Sequence, residues 1–146
     1  MSGVDVTTEI VIARPREVVA AYAADPANAT SWYRDITSVA WRTSPPLAVG
    51  SRVDFVARFL GRELAYTYEV RTFVPGELLV QSTSDGPFAM ETTYTWEDVG
   101  EGTRMTLRNR GEPSGFAKVG RPAIVAGMRR ANREDLRRLK ELLEST

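Results

Sequence analysis

The order of hydrophobic and polar positions divides the chain into a strand, two short helices, a long run of strands and a final helix. Residues 4–12 are rich in β-branched side chains, which favour a strand. In residues 14–23 the apolar positions fall on one face of a helix, with a proline near its start. Asp25 and Pro26 predict that a second helix begins there, because Asp caps helices well and Pro fits a first turn.

From residue 36 onward the hydrophobic period changes to two, which is the period of a β-strand. Turn-forming residues separate six predicted strands, and the last of these ends near residue 110. The inner face is predicted to hold the odd positions of 53–59 and 103–109 and the even positions of 64–70 and 88–96. The strand at residues 78–83 leaves its orientation open, because Leu78 and Leu79 point to opposite faces.

A long amphipathic helix is predicted at the C-terminal end, after a break in which Ser114 is a plausible N-cap. Pro122 predicts a kink or a division of this helix, because a proline inside a helix removes a hydrogen bond and clashes with the preceding turn. Asn132 and Asp135 lie on its apolar arc, which is about 120° wide. The apolar members of that arc are Ile124, Val125, Met128, Leu136, Leu139, Leu142 and Leu143.

These elements predict an α+β fold. Six consecutive strands joined by short turns form an antiparallel meander, and the first strand brings the sheet to about seven strands. The C-terminal helix must cover the buried face of that sheet, so we expect a strongly curved sheet wrapped around the helix, with two short helices between strands 1 and 2. Residues 1–146 are expected to form a single domain, since no repeat or linker divides them.

Composition removes several kinds of chemistry. The chain has no Cys and no His, so disulfides, Cys/His zinc sites and Cys or His nucleophiles are excluded, and we expect neither a metal nor another cofactor. Its 19 basic residues balance 19 acidic ones, and the basic cluster on the last helix alternates with acidic residues, so no nucleic-acid partner is expected. The sequence shows no signal peptide or membrane-spanning run, which predicts a cytoplasmic protein without membrane insertion, as a monomer or homodimer.

Several segments, taken in their order and spacing, resemble the START-like or Bet v 1-like superfamily, also called SRPBCC, and its bacterial polyketide cyclase/dehydrase and lipid-transport proteins. They are residues 14–19 (RPREVV), 25–28 (DPAN) before Trp32 and Tyr33, 49–53 (VGSRV), 102–107 (GTRMTL) and 139–144 (LKELLE). The resemblance covers nearly the whole chain. It implies a helix-grip fold, in which a hydrophobic tunnel often lies between the sheet and the C-terminal helix. The plant members' glycine-rich loop is represented by residues 45–51 with one glycine, so that loop's phosphate recognition is not expected.

The predicted inner face is rich in aromatic residues, which could either fill a solid core or line a pocket. Small residues in the last helix (Ala123, Ala126, Gly127 and Ala131) indicate space beside it. Three inward tyrosines favour a partly polar pocket, because each buried hydroxyl needs a partner. Trp96 belongs to the same face. The predicted pocket residues are Phe55, Phe59, Tyr66, Tyr68, Phe88, Met90, Tyr94, Asn109, Met128 and Asn132.

Three hypotheses for function follow. The first is binding of an apolar or aromatic small molecule, such as a lipid or polyketide, between the sheet and the helix. The second is a polyketide aromatase/cyclase, although the predicted inner strand faces carry no charged residue and leave Asp135, Arg121 and tyrosine hydroxyls as candidates for acid–base chemistry. The third is a protein-binding, co-chaperone-like module, which calls for a large exposed apolar patch. Trp32 and Tyr33 are interpreted as structural anchors near the mouth of the pocket.

Overall fold

The computed structural model describes residues 3–59, 61–83, 89–112 and 120–146, with every side chain in them except that of Phe59. One seven-stranded antiparallel sheet contains all of the strands in these ranges, in the order β1-β7-β6-β5-β4-β3-β2. The strands are β1 (Val4–Ile12), β2 (Ile36–Trp41), β3 (Arg52–Phe59), β4 (Arg62–Val74), β5 (Leu78–Thr83), β6 (Ala89–Val99) and β7 (Gly102–Glu112). The predicted α+β class, strand number and curved sheet are confirmed.

The sheet is a meander with one long-range closure. Strands β2 to β7 pair with their neighbours in sequence, whereas β1 joins the far side by pairing with β7 from Val4↔Gly111 to Ile12↔Thr103. Between β1 and β2 lie α1 (Arg16–Ala24), a 3₁₀ turn (Pro26–Asn28) and α2 (Ala29–Trp32). The Asp25 carboxylate accepts a hydrogen bond from the Ala27 amide at 2.9 Å, so the predicted helix restart is present.

The inner face of the sheet follows the alternation expected from the sequence. Val53, Phe55 and Ala57 are buried on β3, and Thr103, Met105 and Leu107 are buried on β7. On β5 the inward residues are Leu79, Gln81 and Thr83, which resolves the orientation that the sequence leaves open. The pairing of β4 with β5 shifts by one residue between Val70 and Thr72. Because of this bulge, Val70 pairs with Gln81 and Phe73 pairs with Leu79, and both partners on β5 point inward.

The C-terminal helix, α3 (Arg121–Glu144), covers the inner face. Pro122 occupies its first turn, where the missing N–H would have no helical partner, so the long helical piece begins at this proline. The short piece that the predicted division places before it lies outside the described residues. The predicted cap, Ser114, lies outside the described residues. The buried residues of α3 are Ile124, Met128, Asn132, Asp135, Leu136, Leu139 and Leu143.

The space between sheet and helix is packed solid at one end. The C-terminal half of α3 contributes Leu136, Leu139 and Leu143 to a cluster that also contains Leu79 and Trp96, all 5% exposed or less. Toward the other end, Leu64 and Met128 form part of a smaller cluster with Tyr66 and Met90 against it. The sequence left open whether the inner face fills a solid core or lines a pocket. The protein has both, side by side, and Trp96 belongs to the solid core.

Candidate functional site: a pocket between the sheet and the C-terminal helix

A pocket of about 160 Å³ lies between the inner face of the sheet and the N-terminal half of α3. Strands β3 to β7 form its floor and wall, α3 covers it, and residues of α1 and α2 close its side. Its lining includes the exposed residues Asp25 and Arg58, which mark where it reaches solvent. Two of its lining residues, Ala57 and Ala131, have small side chains.

The structure brings eight of the ten residues predicted from the sequence into this one lining. They are Phe55, Tyr66, Tyr68, Met90, Tyr94, Asn109, Met128 and Asn132. Phe88 and the side chain of Phe59 lie outside what the structure describes. That these residues bind a ligand stays a prediction.

One wall of the pocket is aromatic. The rings of Phe55 and Tyr66 stack with centroids 5.9 Å apart, and Tyr68 meets both edge-on, at 5.7 Å from Phe55 and 5.4 Å from Tyr66. Edge-to-face and offset stacked pairs are the favoured arrangements of aromatic rings. The three side chains therefore form a rigid surface against which a flat apolar molecule can pack.

A chain of three polar side chains crosses the floor from β4 to β7. The Thr92 hydroxyl donates to Asn109 Oδ1 at 2.6 Å, and the Tyr68 hydroxyl lies 2.7 Å from Thr92 Oγ1. Because Thr92 has one hydroxyl proton and gives it to Asn109, Tyr68 is the donor in the second bond. Burial raises the pKa of Tyr68 to about 12 although the bond to Thr92 opposes this shift, so its hydroxyl stays neutral.

A second polar contact joins Tyr33, directly after α2, to Tyr94 on β6. Their two hydroxyl groups hydrogen-bond to each other beside the pocket. Burial raises the pKa of both phenols, and each is raised further by a neighbouring ionisable group, so both are neutral at physiological pH. The pair thus presents ring faces and satisfied hydroxyls to the pocket, with no charge.

Asp135 supplies the buried carboxyl that the strand faces lack. Its side chain is on α3, is 3% exposed and lines the pocket, where Oδ1 accepts a hydrogen bond from the Arg34 amide at 3.0 Å. Burial is the main cause that raises the pKa of Asp135 to about 7; Asp35 and Glu134 raise it further, while the Arg34 amide lowers it. A carboxyl with this pKa can hold or release a proton near neutral pH.

Asn132 lies one helical turn before Asp135 and is 6% exposed. Its Nδ2 is fully shielded and has no hydrogen-bond partner within the described residues. Leaving a buried amide donor unpaired costs about 1–3 kcal/mol. The polar end of the pocket therefore has unused hydrogen-bonding capacity.

Among the lining residues outside the predicted pocket set, three make the polar contacts described above. Thr92 has the same parity as Met90 and Tyr94, so the alternation on β6 could have found it. Asp135 lies on the apolar arc of α3, so the helical periodicity already indicated that its carboxyl faces the interior. Tyr33 reaches the pocket only through the docking of α2 against the sheet, which no local pattern reveals.

The described part of the chain contains no group of three Asp or Glu side chains placed to hold a metal ion. None of its helices combines the length and apolarity that a membrane span requires. Its exposed large apolar side chains are Val11, Val49 and Val74, one in each of three separate segments.

Comparison with known proteins agrees with this architecture. Residues 3–144 match the model of a family described as polyketide cyclase / dehydrase and lipid transport. No curated protein sequence matches the chain.

Three solved structures share the fold along nearly the whole chain. A protein from Thermus thermophilus has a TM-score of 0.82 at 22% identity, covering 98% of this chain and 100% of its own. A START superfamily protein from Mycobacterium smegmatis has a TM-score of 0.82 at 14% identity, covering 97% of each chain. The Zhui aromatase/cyclase from Streptomyces sp. R1128 has a TM-score of 0.78 at 14% identity, covering 97% of this chain and 94% of its own.

Proposed function

Because the chain belongs to the family described as polyketide cyclase / dehydrase and lipid transport, we propose that it binds a small, largely apolar molecule in the pocket between the sheet and α3. The observation that carries the proposal is the pocket of about 160 Å³ beside the aromatic wall of Phe55, Tyr66 and Tyr68. Protein interiors otherwise pack to the density of organic crystals. An apolar cavity of about 150 Å³ is large enough to hold benzene.

The size of the pocket favours a compact ligand, or one compact part of a longer ligand. Burying about 150 Å² of ring surface contributes roughly 4 kcal/mol, which corresponds to a Kd near 1 mM before ordering costs. Apolar contact alone would therefore bind weakly. The polar groups at the end of the pocket near Asn132 supply the further contacts that a tighter complex needs.

A filling substitution on α3 tests the proposal. Ala131 lines the pocket, whereas Ala126 lies exposed on the same helix. We expect Ala131→Phe to occupy the pocket and to weaken binding of an apolar fluorescent probe at least tenfold, and Ala126→Phe to leave it unchanged. Native mass spectrometry followed by organic extraction should identify a co-purified hydrophobe in the wild type and in Ala126→Phe but not in Ala131→Phe.

Equal probe binding by all three proteins would mean that the probe attaches elsewhere, and it would contradict the proposal. Absence of saturable binding to the wild type would do the same. Circular dichroism and thermal unfolding of both variants distinguish a filled pocket from a damaged fold.

A second candidate function, a cyclase/dehydratase activity, is favoured by Asp135. Aldol closure removes a proton next to one carbonyl and forms a carbon–carbon bond to another, and dehydration then releases one water. A buried carboxyl whose pKa is near 7 suits these proton transfers. On this hypothesis Asp135→Asn lowers kcat on a poly-β-ketone substrate at least a hundredfold with little change in substrate affinity; an unchanged kcat would contradict it.

A further inference from the structure

Two buried polar side chains face the pocket from consecutive turns of α3. Asn132 and Asp135 are separated by three positions, so they lie on the same face of the helix about 5–6 Å apart at Cβ. Both are at least nine-tenths buried, at 6% and 3% exposure. The rest of the α3 surface in this region is apolar or small, with Met128 and Ala131 beside them.

Both side chains have hydrogen-bonding capacity that the protein does not use. Throughout the described residues, Asp135 receives one hydrogen bond, from the Arg34 amide to Oδ1, and its Oδ2 receives none. The Nδ2 atom of the Asn132 amide has no partner in that same part of the chain. A half turn of the amide exchanges its N–H and C=O groups, so Asn132 can present a donor to the pocket.

The charged groups around this pair disfavour an anionic ligand. Asp135 itself becomes negative above its pKa, and the acidic side chains of Asp35, which also lines the pocket, and Glu134 lie close enough to raise that pKa. Arg58 lines the pocket as well, but it is exposed, where the pocket reaches solvent. The Arg34 guanidinium is committed to Glu134. The uncharged groups that interact with Asp135 from the other elements are the phenols of Tyr33, Tyr66 and Tyr94, and burial raises the pKa of all three.

We propose that Asn132 and Asp135 together select a neutral ring compound that carries a hydroxyl group. The ligand hydroxyl would donate its proton to Asp135 Oδ2 and accept a hydrogen bond from the Asn132 amide, while its ring packs against Phe55 and Tyr66. This inference rests on the proposed function, because it requires that the pocket admits a ligand. It adds the chemical group that the polar end of the pocket recognises.

A single hydroxyl suits both partners because it is donor and acceptor at once. It gives a partner to the Asn132 N–H group, whose burial without one is costly, and to the free oxygen of the Asp135 carboxylate. A ketone offers only an acceptor, and a carboxylate would place a negative charge beside Asp135. A plain hydrocarbon leaves both side chains unpaired.

Three fluorinated probes of one ring size test the selection by ¹⁹F NMR titration at pH 8, where Asp135 is largely ionised. They are 4-fluorophenol, 4-fluorotoluene and 4-fluorobenzoate. We expect 4-fluorophenol to bind about tenfold more tightly than 4-fluorotoluene, since a hydrogen bond to a charged group exceeds a neutral one. The benzoate should bind more weakly than both.

Two conservative variants connect the preference to the pair. Asp135→Asn keeps an acceptor for the Arg34 amide but replaces the free carboxylate oxygen by a donor. We expect its affinities for 4-fluorophenol and 4-fluorotoluene to lie within twofold of each other. Asn132→Leu should reduce the preference by about threefold to tenfold. The affinity for 4-fluorotoluene shows whether each variant keeps an intact pocket, and thermal unfolding shows whether each variant is folded.

The outcomes separate the two proposals. Saturable toluene binding with no phenol preference in the wild type would overturn the present inference and leave the proposed function standing. A phenol preference that survives in both variants would place the hydroxyl elsewhere and would also overturn it. Failure of all three probes to bind would contradict the proposed function itself, together with this inference.

Discussion

The hydroxyl groups of Tyr33 and Tyr94 hydrogen-bond to each other inside the protein, and this bond connects the end of α2 to the middle of β6. Trp32 packs against both rings, with its ring centroid 4.0 Å from that of Tyr33 and 5.9 Å from that of Tyr94. Tyr94 in turn packs on Trp96, with ring centroids 5.9 Å apart. Tyr94 thus belongs to the solid core and to the lining of the pocket. The aromatic group around it forms the boundary between the two.

Removing either hydroxyl of this pair should destabilise the fold because its partner is left buried and unpaired. We expect Tyr33→Phe and Tyr94→Phe each to lower the free energy of unfolding by about 1–2 kcal/mol. The double variant should cost clearly less than the sum, since it leaves no orphaned hydroxyl. Urea unfolding of the four proteins measures this coupling, and strict additivity would show that the two hydroxyls contribute independently.

The pKa of Asp135 predicts how stability depends on pH. Its folded value of about 7 lies above the ordinary 3.8, so the folded state holds this proton more tightly than the unfolded state does. The resulting stabilisation is fully present below the unfolded pKa and is lost as pH rises through about 7.

Asp135→Asn removes this dependence while keeping an acceptor for the Arg34 amide. The stability of the variant relative to wild type should therefore rise by about 2–3 kcal/mol between pH 5 and pH 8. Urea unfolding at both pH values checks this, and carboxylates common to the two proteins cancel in the difference. A constant difference would mean that Asp135 stays ionised across the range.

The chain from Tyr68 through Thr92 to Asn109 predicts a cost for removing its central hydroxyl. Thr92→Val leaves the other two side chains without that partner and should lower the free energy of unfolding by about 1–3 kcal/mol. Thr93→Val on the opposite face is the matched control, with an expected change within about 0.5 kcal/mol. Chemical denaturation compares the two, and equal effects would indicate that the chain does not contribute to stability.

The two ends of α3 should respond differently to truncation. Leu139→Ala opens a cavity in the solid core and should cost about 3–5 kcal/mol. Met128→Ala enlarges an existing pocket and should cost about 1–2 kcal/mol less, while raising the affinity for ring ligands larger than the wild type accepts. Thermal unfolding and probe titrations test both, and equal costs would mean that Met128 is packed as tightly as Leu139.

Much of the fold follows from local patterns. The alternation on β3, β4, β6 and β7 predicts the inner face correctly because one side of each strand faces the buried interior and the other is more exposed. Eight pocket residues come from that alternation and from the helical stripe. Pro122 lies in the first turn of α3, which agrees with the prediction that a proline here separates the long helical piece from what precedes it.

The polar arrangement could not be predicted in the same way. The contact of Tyr33 with Tyr94 spans 61 positions, and that of Asp135 with the Arg34 amide spans 101. Such contacts depend on how α2 docks between the sheet and α3. The division of the inner face into a filled and an open part likewise depends on the position of α3 along the sheet, which periodicity does not specify.

The helix that covers the sheet performs two tasks on separate segments. Residues from Leu136 to Leu143 anchor it in the solid core, whereas Met128, Ala131 and Asn132 face the pocket. Substitutions in the second group can alter the shape and polarity offered to a ligand while the anchoring segment continues to hold the helix in place. The chain is therefore suited to engineering of selectivity, with its N-terminal helical turns as the region to randomise and its C-terminal turns left constant.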